Sequence, residues 1–194
     1  MVAPKTTLIV DCGSAKVDNL EAIVSSEGWK TKRKHLAEIS TSDLQDCLAV
    51  IISGGPLLFT DADPIAAAEL RNRFVWLKSV ELPIFGICLG HQALALQAGA
   101  EIQRGPERRE ADAIQISKPH PLLAGIESGT VFAEDHCEGV TRPDGFQILG
   151  TSAHYEVEIM TNDEAKRYGV QFHPEVSGEP GRRLIANFLR LTES

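Results

Sequence analysis

Three short apolar runs each stop at a small, turn-forming cluster. TLIV (7–10) runs into DCGS, LAVIIS (48–53) into GGP, and LPIFGI (82–87) into CLG. A strand with one wet face alternates apolar and polar residues, whereas a run that is apolar at every position has both faces covered. Helix-like patterns lie between the runs, at 17–27, 64–79 and 91–98. That alternation predicts a central parallel sheet flanked by helices on both sides, an α/β architecture. Ligands in such sheets gather outside the carboxyl ends of the strands, and DCGS, SGGP and GICLG all fall there. The second half is less regular. Short strands are expected at 113–117, 130–133, 147–151, 156–160 and 169–172, forming a small mixed or antiparallel extension. A helix over 181–190 then presents Leu184, Ile185, Phe188 and Leu189 on one apolar face.

The 194 residues suffice for one sizeable core and hardly for two, so a single domain over 1–194 is expected. A hydrophobic share of 43% with 24% charged residues is ordinary for a globular domain. A formal net charge of -8 argues against a nucleic-acid surface, which needs clustered Lys and Arg. No apolar run approaches the ~20 residues of a membrane span. The opening MVAPKTTLIVDC has too short an apolar stretch for a signal peptide. Cys12, Cys47, Cys88 and Cys137 are widely spaced with no CxxC pair, which argues against a disulfide framework and a zinc site. Reduced thiols in a cytoplasmic protein are the expectation, with no metal.

Gly86-Ile87-Cys88-Leu89-Gly90 has the form G-x-C-x-G, the cysteine version of a nucleophile elbow. Glycines on both sides let a strained strand-to-helix turn close. The helix that follows points its N-terminus at the sulfur, which favours thiolate, and places the Leu89 N–H to donate to an oxyanion. A buried core cysteine fits the pentapeptide as well. A base is available in YGVQFHPEV, where His173 precedes Glu175 by two residues. In an extended segment the two share a face, and a carboxylate on one imidazole nitrogen sets the tautomer. A surface His-Pro-Glu turn is the rival. The glycine pair Gly54-Gly55, after the second buried strand, lets bare backbone approach a ligand. It lacks the Lys-Ser/Thr of a phosphate loop and the G-x-G-x-x-G spacing of a dinucleotide site.

Taken in order, SGGP, GICLGHQ and GVQFHPEV resemble the three hallmark segments of the class I (triad-type) glutamine amidotransferases, and the likeness runs from IVDCGS to ANFL. The resemblance implies that family's flavodoxin-like fold. It also implies Cys88 as nucleophile, His173 as base and Glu175 as its orienting partner, with the N–H groups of Gly55 and Leu89 as oxyanion hole. Gln92 would help hold L-glutamine, with Gly54, Asp135 and His136 also at the substrate. Within the family, IVDCGS, SGGP and YEVEIMTNDEAKRYGVQFHPEV are similar to the glutaminase of GMP synthetase. This implies a separate ATP-pyrophosphatase subunit that receives ammonia and converts XMP to GMP; ATP and magnesium belong to that partner, and no cofactor to this chain. Two segments depart from the family. Asp135-His136 stands where a Ser-His pair is usual, and 107–116 replaces the usual tyrosine-glycine. The other readings are a stand-alone γ-glutamyl hydrolase and a catalytically silent regulatory homologue that binds a partner.

Overall fold

The structure, a computed structural model, describes residues 5–193; residues 1–4, at the start of the stretch weighed as a signal peptide, and residue 194 lie outside the described residues. The chain runs β1 (Thr6–Asp11), α1 (Val17–Ser26), β2 (Lys30–His35), β3 (Ala49–Ile52), α2 (Pro64–Asn72), β4 (Ile84–Ile87) and α3 (Leu89–Gln97). It continues through β5 (Ile102–Arg108), β6 (Asp112–Ile116), β7 (Thr130–Phe132), β8 (His136–Val140), β9 (Gln147–Thr151), β10 (Ile159–Asn162), β11 (Arg167–Val170) and α4 (Gly178–Leu191). Among the described residues nine strands make one sheet, in the order β2-β1-β3-β4-β11-β10-β9-β6-β7, and β5 pairs with β8 apart from it. From β2 to β11 the neighbours are parallel, and from β11 to β7 they are antiparallel. The expected parallel core with an antiparallel extension is what forms.

The unbroken apolar runs have the predicted cause. Along β1, β3 and β4, Ile9, Ile51, Phe85 and Ile87 pack into a layer with Leu20 and Val24 of α1 and Leu184 and Phe188 of α4. Their neighbours Leu8, Val10, Val50, Ile52 and Ile84 pack on the other face with Leu70 of α2 and Ala93 and Leu94 of α3. Each fully buried side chain of this size contributes roughly 1.5–3 kcal/mol, so the sheet is held from both sides.

Several elements differ from expectation for identifiable reasons. β2, with the sequence KTKRKH, has no apolar pattern because it is the outermost strand on its side, and lysines discourage further strand pairing there. The helix expected over 64–79 starts where Asp63 accepts the Ile65 N–H at 2.9 Å and Pro64 occupies the first turn. It stops at Asn72, and a separate 3-10 turn covers Val75–Ser79. β10 and β11 sit at 159–162 and 167–170, a shift from the expected 156–160 and 169–172. No helix among the described residues is long and apolar enough to cross a membrane. The four cysteines are all free.

Candidate active site

The chain passes from β1 through α1 to β2 on one side and then returns to β3 on the other side of β1. That reversal opens a crevice at the carboxyl ends of the strands. A cavity of about 460 Å³ lies there, lined from the β1–α1 turn by Gly13 to Lys16, from the end of β3 by Gly55 to Leu58, and by Cys88, Leu89 and Gln92.

Cys88 joins β4 to α3 with φ +49° and ψ -102°, a conformation that costs an L-residue about 1–3 kcal/mol. Its surroundings impose it. A Cβ on Gly86 would lie 2.5 Å from the Gly90 backbone, and one on Gly90 would lie 2.6 Å from the Ile52 carbonyl oxygen. The elbow is therefore folded onto itself and onto β3, which only glycine permits. The Cys88 N–H donates to the Val170 carbonyl at 2.9 Å, and its own carbonyl accepts the Gln92 N–H at 3.0 Å. One residue thus closes the β4–β11 ladder and opens α3.

His173 follows β11 and is clamped through its backbone. Its N–H donates to the Ala133 carbonyl at 2.8 Å, and the Ser177 hydroxyl donates to its carbonyl at 2.6 Å. Just before it, Phe172 stacks on Phe132 with centroids 4.1 Å apart. Its Nδ1 lies 2.8 Å from Glu175 Oε1, with both side chains buried. An ionised carboxylate only accepts, so Nδ1 carries the proton and Nε2 offers a lone pair. The pair meets as expected but by another geometry: Pro174–Val176 is a 3-10 turn, not an extended segment. Gly181 of α4 makes this turn possible, because a Cβ there would run into the Pro174 carbonyl oxygen.

Cys88 and His173 share the cavity although 84 positions separate them in the sequence. A Cβ added to Gly54 would lie 2.7 Å from His173 Cε1 and 3.3 Å from Cys88 Cβ, so a single bare glycine separates thiol and imidazole. Gly55 lines the same space and is pressed against the Cys12 carbonyl on its other side. The thiol itself departs from expectation. Burial pushes it up, the Glu175 charge adds to this, and the Leu89 N–H opposes both without prevailing. These surroundings disfavour the thiolate despite the helix that begins beneath it. His91, buried behind the elbow, is held neutral by that burial, down to about 3.

The remaining sequence candidates also reach the cavity, each with a qualification. Gln92 is buried, and its amide nitrogen donates to the Glu138 carbonyl at 3.2 Å and to Gln171 Oε1 at 3.3 Å. Asp135 accepts from Lys16 Nζ at 2.6 Å and Arg109 Nη1 at 3.4 Å. The Lys16 ammonium, first among several causes, holds the Asp135 carboxyl below the usual carboxylate range. His136 is buried, with Nδ1 2.8 Å from the Glu138 carbonyl and Nε2 2.8 Å from Glu134 Oε2, so both ring nitrogens face inward partners. His120 stays outside this site. It caps the turn Pro121–Leu123 by accepting the Leu122 N–H and faces Asp163.

Sequence reasoning missed Lys16, Arg104, Cys137 and Glu138, all of which line the cavity, while Arg109 and Glu107, from the 107–116 segment already set apart, line it too. No local pattern marks them. Lys16 could have been found from its position just past DCGS, at a strand's carboxyl end. The Glu138 carboxylate accepts the Phe59 N–H at 3.1 Å and, at 2.6 Å each, the Thr60 N–H and hydroxyl, which anchors the segment that follows SGGP.

The family model described as glutamine amidotransferase class-I matches residues 8–191. The chain belongs to the class I glutamine amidotransferases. Among curated members it is 35% identical over 162 residues to a Methanosarcina barkeri protein named as one subunit of a glutamine-hydrolyzing GMP synthase, covering 79% of this chain and 81% of that one. It is 38% identical over 144 residues to the GMP synthase of Symbiobacterium thermophilum, covering 72% of this chain but only 27% of that much longer relative. Among solved structures, a Thermoplasma acidophilum protein described as a GMP synthase subunit superposes with a TM-score of 0.89 at 23% identity, covering 100% of this chain and 96% of that one. A glutamine amidotransferase from Thermotoga maritima superposes with a TM-score of 0.81 at 20% identity and full coverage of both chains. These two structures share the class I amidotransferase fold found here.

Proposed function

We propose that this amidotransferase hydrolyses L-glutamine through a Cys88 thioester and supplies the ammonia to a separate synthetase subunit that converts XMP to GMP. His173 Nε2 takes the thiol proton as Cys88 Sγ attacks the side-chain amide carbon. The Gly55 and Leu89 N–H groups receive the charge on the amide oxygen, and each such donor is worth about 2.7–4 kcal/mol in comparable sites. The imidazolium, stabilised by Glu175, returns the proton to the departing nitrogen, and ammonia leaves with the thioester formed. His173 then deprotonates water, which cleaves the thioester to glutamate and regenerates the thiol. ATP and magnesium act on the synthetase partner. The unpaired cysteines fit a reducing compartment such as the cytoplasm.

One observation carries this reading: a cysteine held at positive φ faces, across a single glycine, an imidazole whose other nitrogen is bonded to a buried carboxylate. The M. barkeri relative, named as one subunit, supports a two-chain arrangement. The test is ammonia release from glutamine, alone and with a purified XMP-dependent synthetase, ATP, magnesium and XMP. A large rise on mixing, abolished by Cys88→Ala and cut on the order of 10²–10⁴-fold by His173→Ala, is expected. High activity on γ-glutamyl peptides, with no response to the synthetase, overturns it.

A further inference from the structure

At the cavity wall, which His136 lines, lie three side chains that the proposed reaction does not use. Glu134, His136 and Glu158 are only 4%, 8% and 1% exposed. One ligand-type atom from each falls within 4.8 Å of the other two. The His136 ring has Nδ1 at 2.8 Å from the Glu138 carbonyl, an oxygen that can only accept, so Nδ1 carries a proton. In the neutral ring Nε2 is then a bare lone pair, and it sits 2.8 Å from Glu134 Oε2. Two lone pairs at that distance require a positive centre between them.

A proton on Nε2 does not complete the cluster. Glu134 Oε1 and Glu158 Oε2 are buried with no hydrogen-bond partner, and leaving such groups unpaired is costly. Among the described residues the one ion pair made to Glu134 or Glu158 is that of His136, although Arg108, opposite His136 across the β5–β8 pair, has its Nε buried without a hydrogen-bond partner. Arg108 directs Nη2 to Asp112 at 3.2 Å, and His154 lies on the same Asp112 at 3.8 Å. The positive group acting most strongly on Glu158 is His136 itself.

We propose that Glu134, His136 and Glu158 form a binding site for one divalent transition-metal ion of the zinc type. An imidazole with two carboxylates suits Zn²⁺, Co²⁺ or Fe²⁺ better than Mg²⁺ or Ca²⁺, which favour all-oxygen shells. The surroundings match a ligand shell. A metal-bound histidine donates its second N–H to a backbone carbonyl or carboxylate, as Nδ1 does here. Zinc takes bonds of about 2.0–2.2 Å with nitrogen and oxygen, and the three atoms lie within 4.8 Å of one another. The ion would clip the segment between β7 and β8 to the residue preceding β10. Asp135 lies between two of its ligands and Cys137 directly after one, so the clip would fix the wall that carries both into the cavity.

The test uses the whole chain bearing Cys88→Ala, so that the nucleophile cannot bind metal, after treatment with chelator. Cobalt titration followed by visible spectroscopy, and zinc titration by calorimetry, are expected to show one ion per chain. The expected ligand-field bands carry no thiolate charge-transfer band, and zinc displaces cobalt. His136→Ala and Glu158→Gln, each checked for folding by circular dichroism, are expected to weaken binding on the order of 100-fold or more. Zinc should raise the unfolding temperature of the parent but not of the Glu158→Gln variant. Three results overturn the proposal: no uptake by the parent, which leaves the cluster a proton-sharing network; a thiolate band, which puts the ion on cysteine; or affinity unchanged in both variants.

Discussion

At Cys88 the backbone and the side chain serve opposite ends. The residue must be a cysteine for the proposed chemistry, yet φ +49° is a conformation that glycine adopts more readily. Cys88→Gly should therefore fold more stably than Cys88→Ala by about 1 kcal/mol, since relief of strain exceeds glycine's added chain entropy. Denaturant unfolding of the two variants checks this, and a more stable alanine variant contradicts it. The thiol gives a second prediction. Burial and then the Glu175 charge raise its pKa, so the thiolate is scarce at neutral pH and grows as pH rises. Glu175→Gln removes one raising charge and should speed alkylation of Cys88 by iodoacetamide at any fixed pH below the thiol's pKa. Site-resolved mass spectrometry separates Cys88 from the partly exposed Cys137. A slower Cys88 would show that Glu175 acts on the sulfur chiefly through His173.

Elements bring these residues together, and here the sequence was legible in part. The runs TLIV, LAVIIS and PIFGI declared β1, β3 and β4 because both of their faces are buried. β2 stayed hidden because an edge strand needs no apolar face, and β5 and β8 because the β5–β8 pair lies apart from the main sheet. The His173–Glu175 pairing was read correctly from spacing, but its 3-10 geometry was not, since that depends on how closely α4 approaches. Nothing near position 134 or 158 announces that Glu134, His136 and Glu158 converge, because a loop and a distant strand end supply them. The α4 approach is testable by Gly181→Ala. The added methyl would collide with the Pro174 carbonyl, so the variant should lose at least about 1–3 kcal/mol of stability. Because the turn carrying Glu175 must shift, turnover should fall too, even where the variant remains folded. Unchanged turnover in a folded variant would show that the turn's position is not critical.

Across the whole molecule the labour is divided between the two halves of the sheet. The parallel half provides Cys88, His173 and the glycine loop at adjacent strand ends. Beyond it, the β7–β8 segment supplies the wall with Asp135. The chain spans 27% of the S. thermophilum GMP synthase and 81% of the M. barkeri relative. All of this depends on the sulfur and the imidazole acting as one unit inside the shared cavity. The most direct test is covalent trapping with an electrophilic glutamine analogue in the presence of the synthetase, read by peptide mass spectrometry. The expected result is a single adduct, on Cys88, that glutamine suppresses and that forms far more slowly in His173→Ala. An adduct on Cys12 or Cys137 instead, or labelling of Cys88 at an undiminished rate without His173, would contradict it.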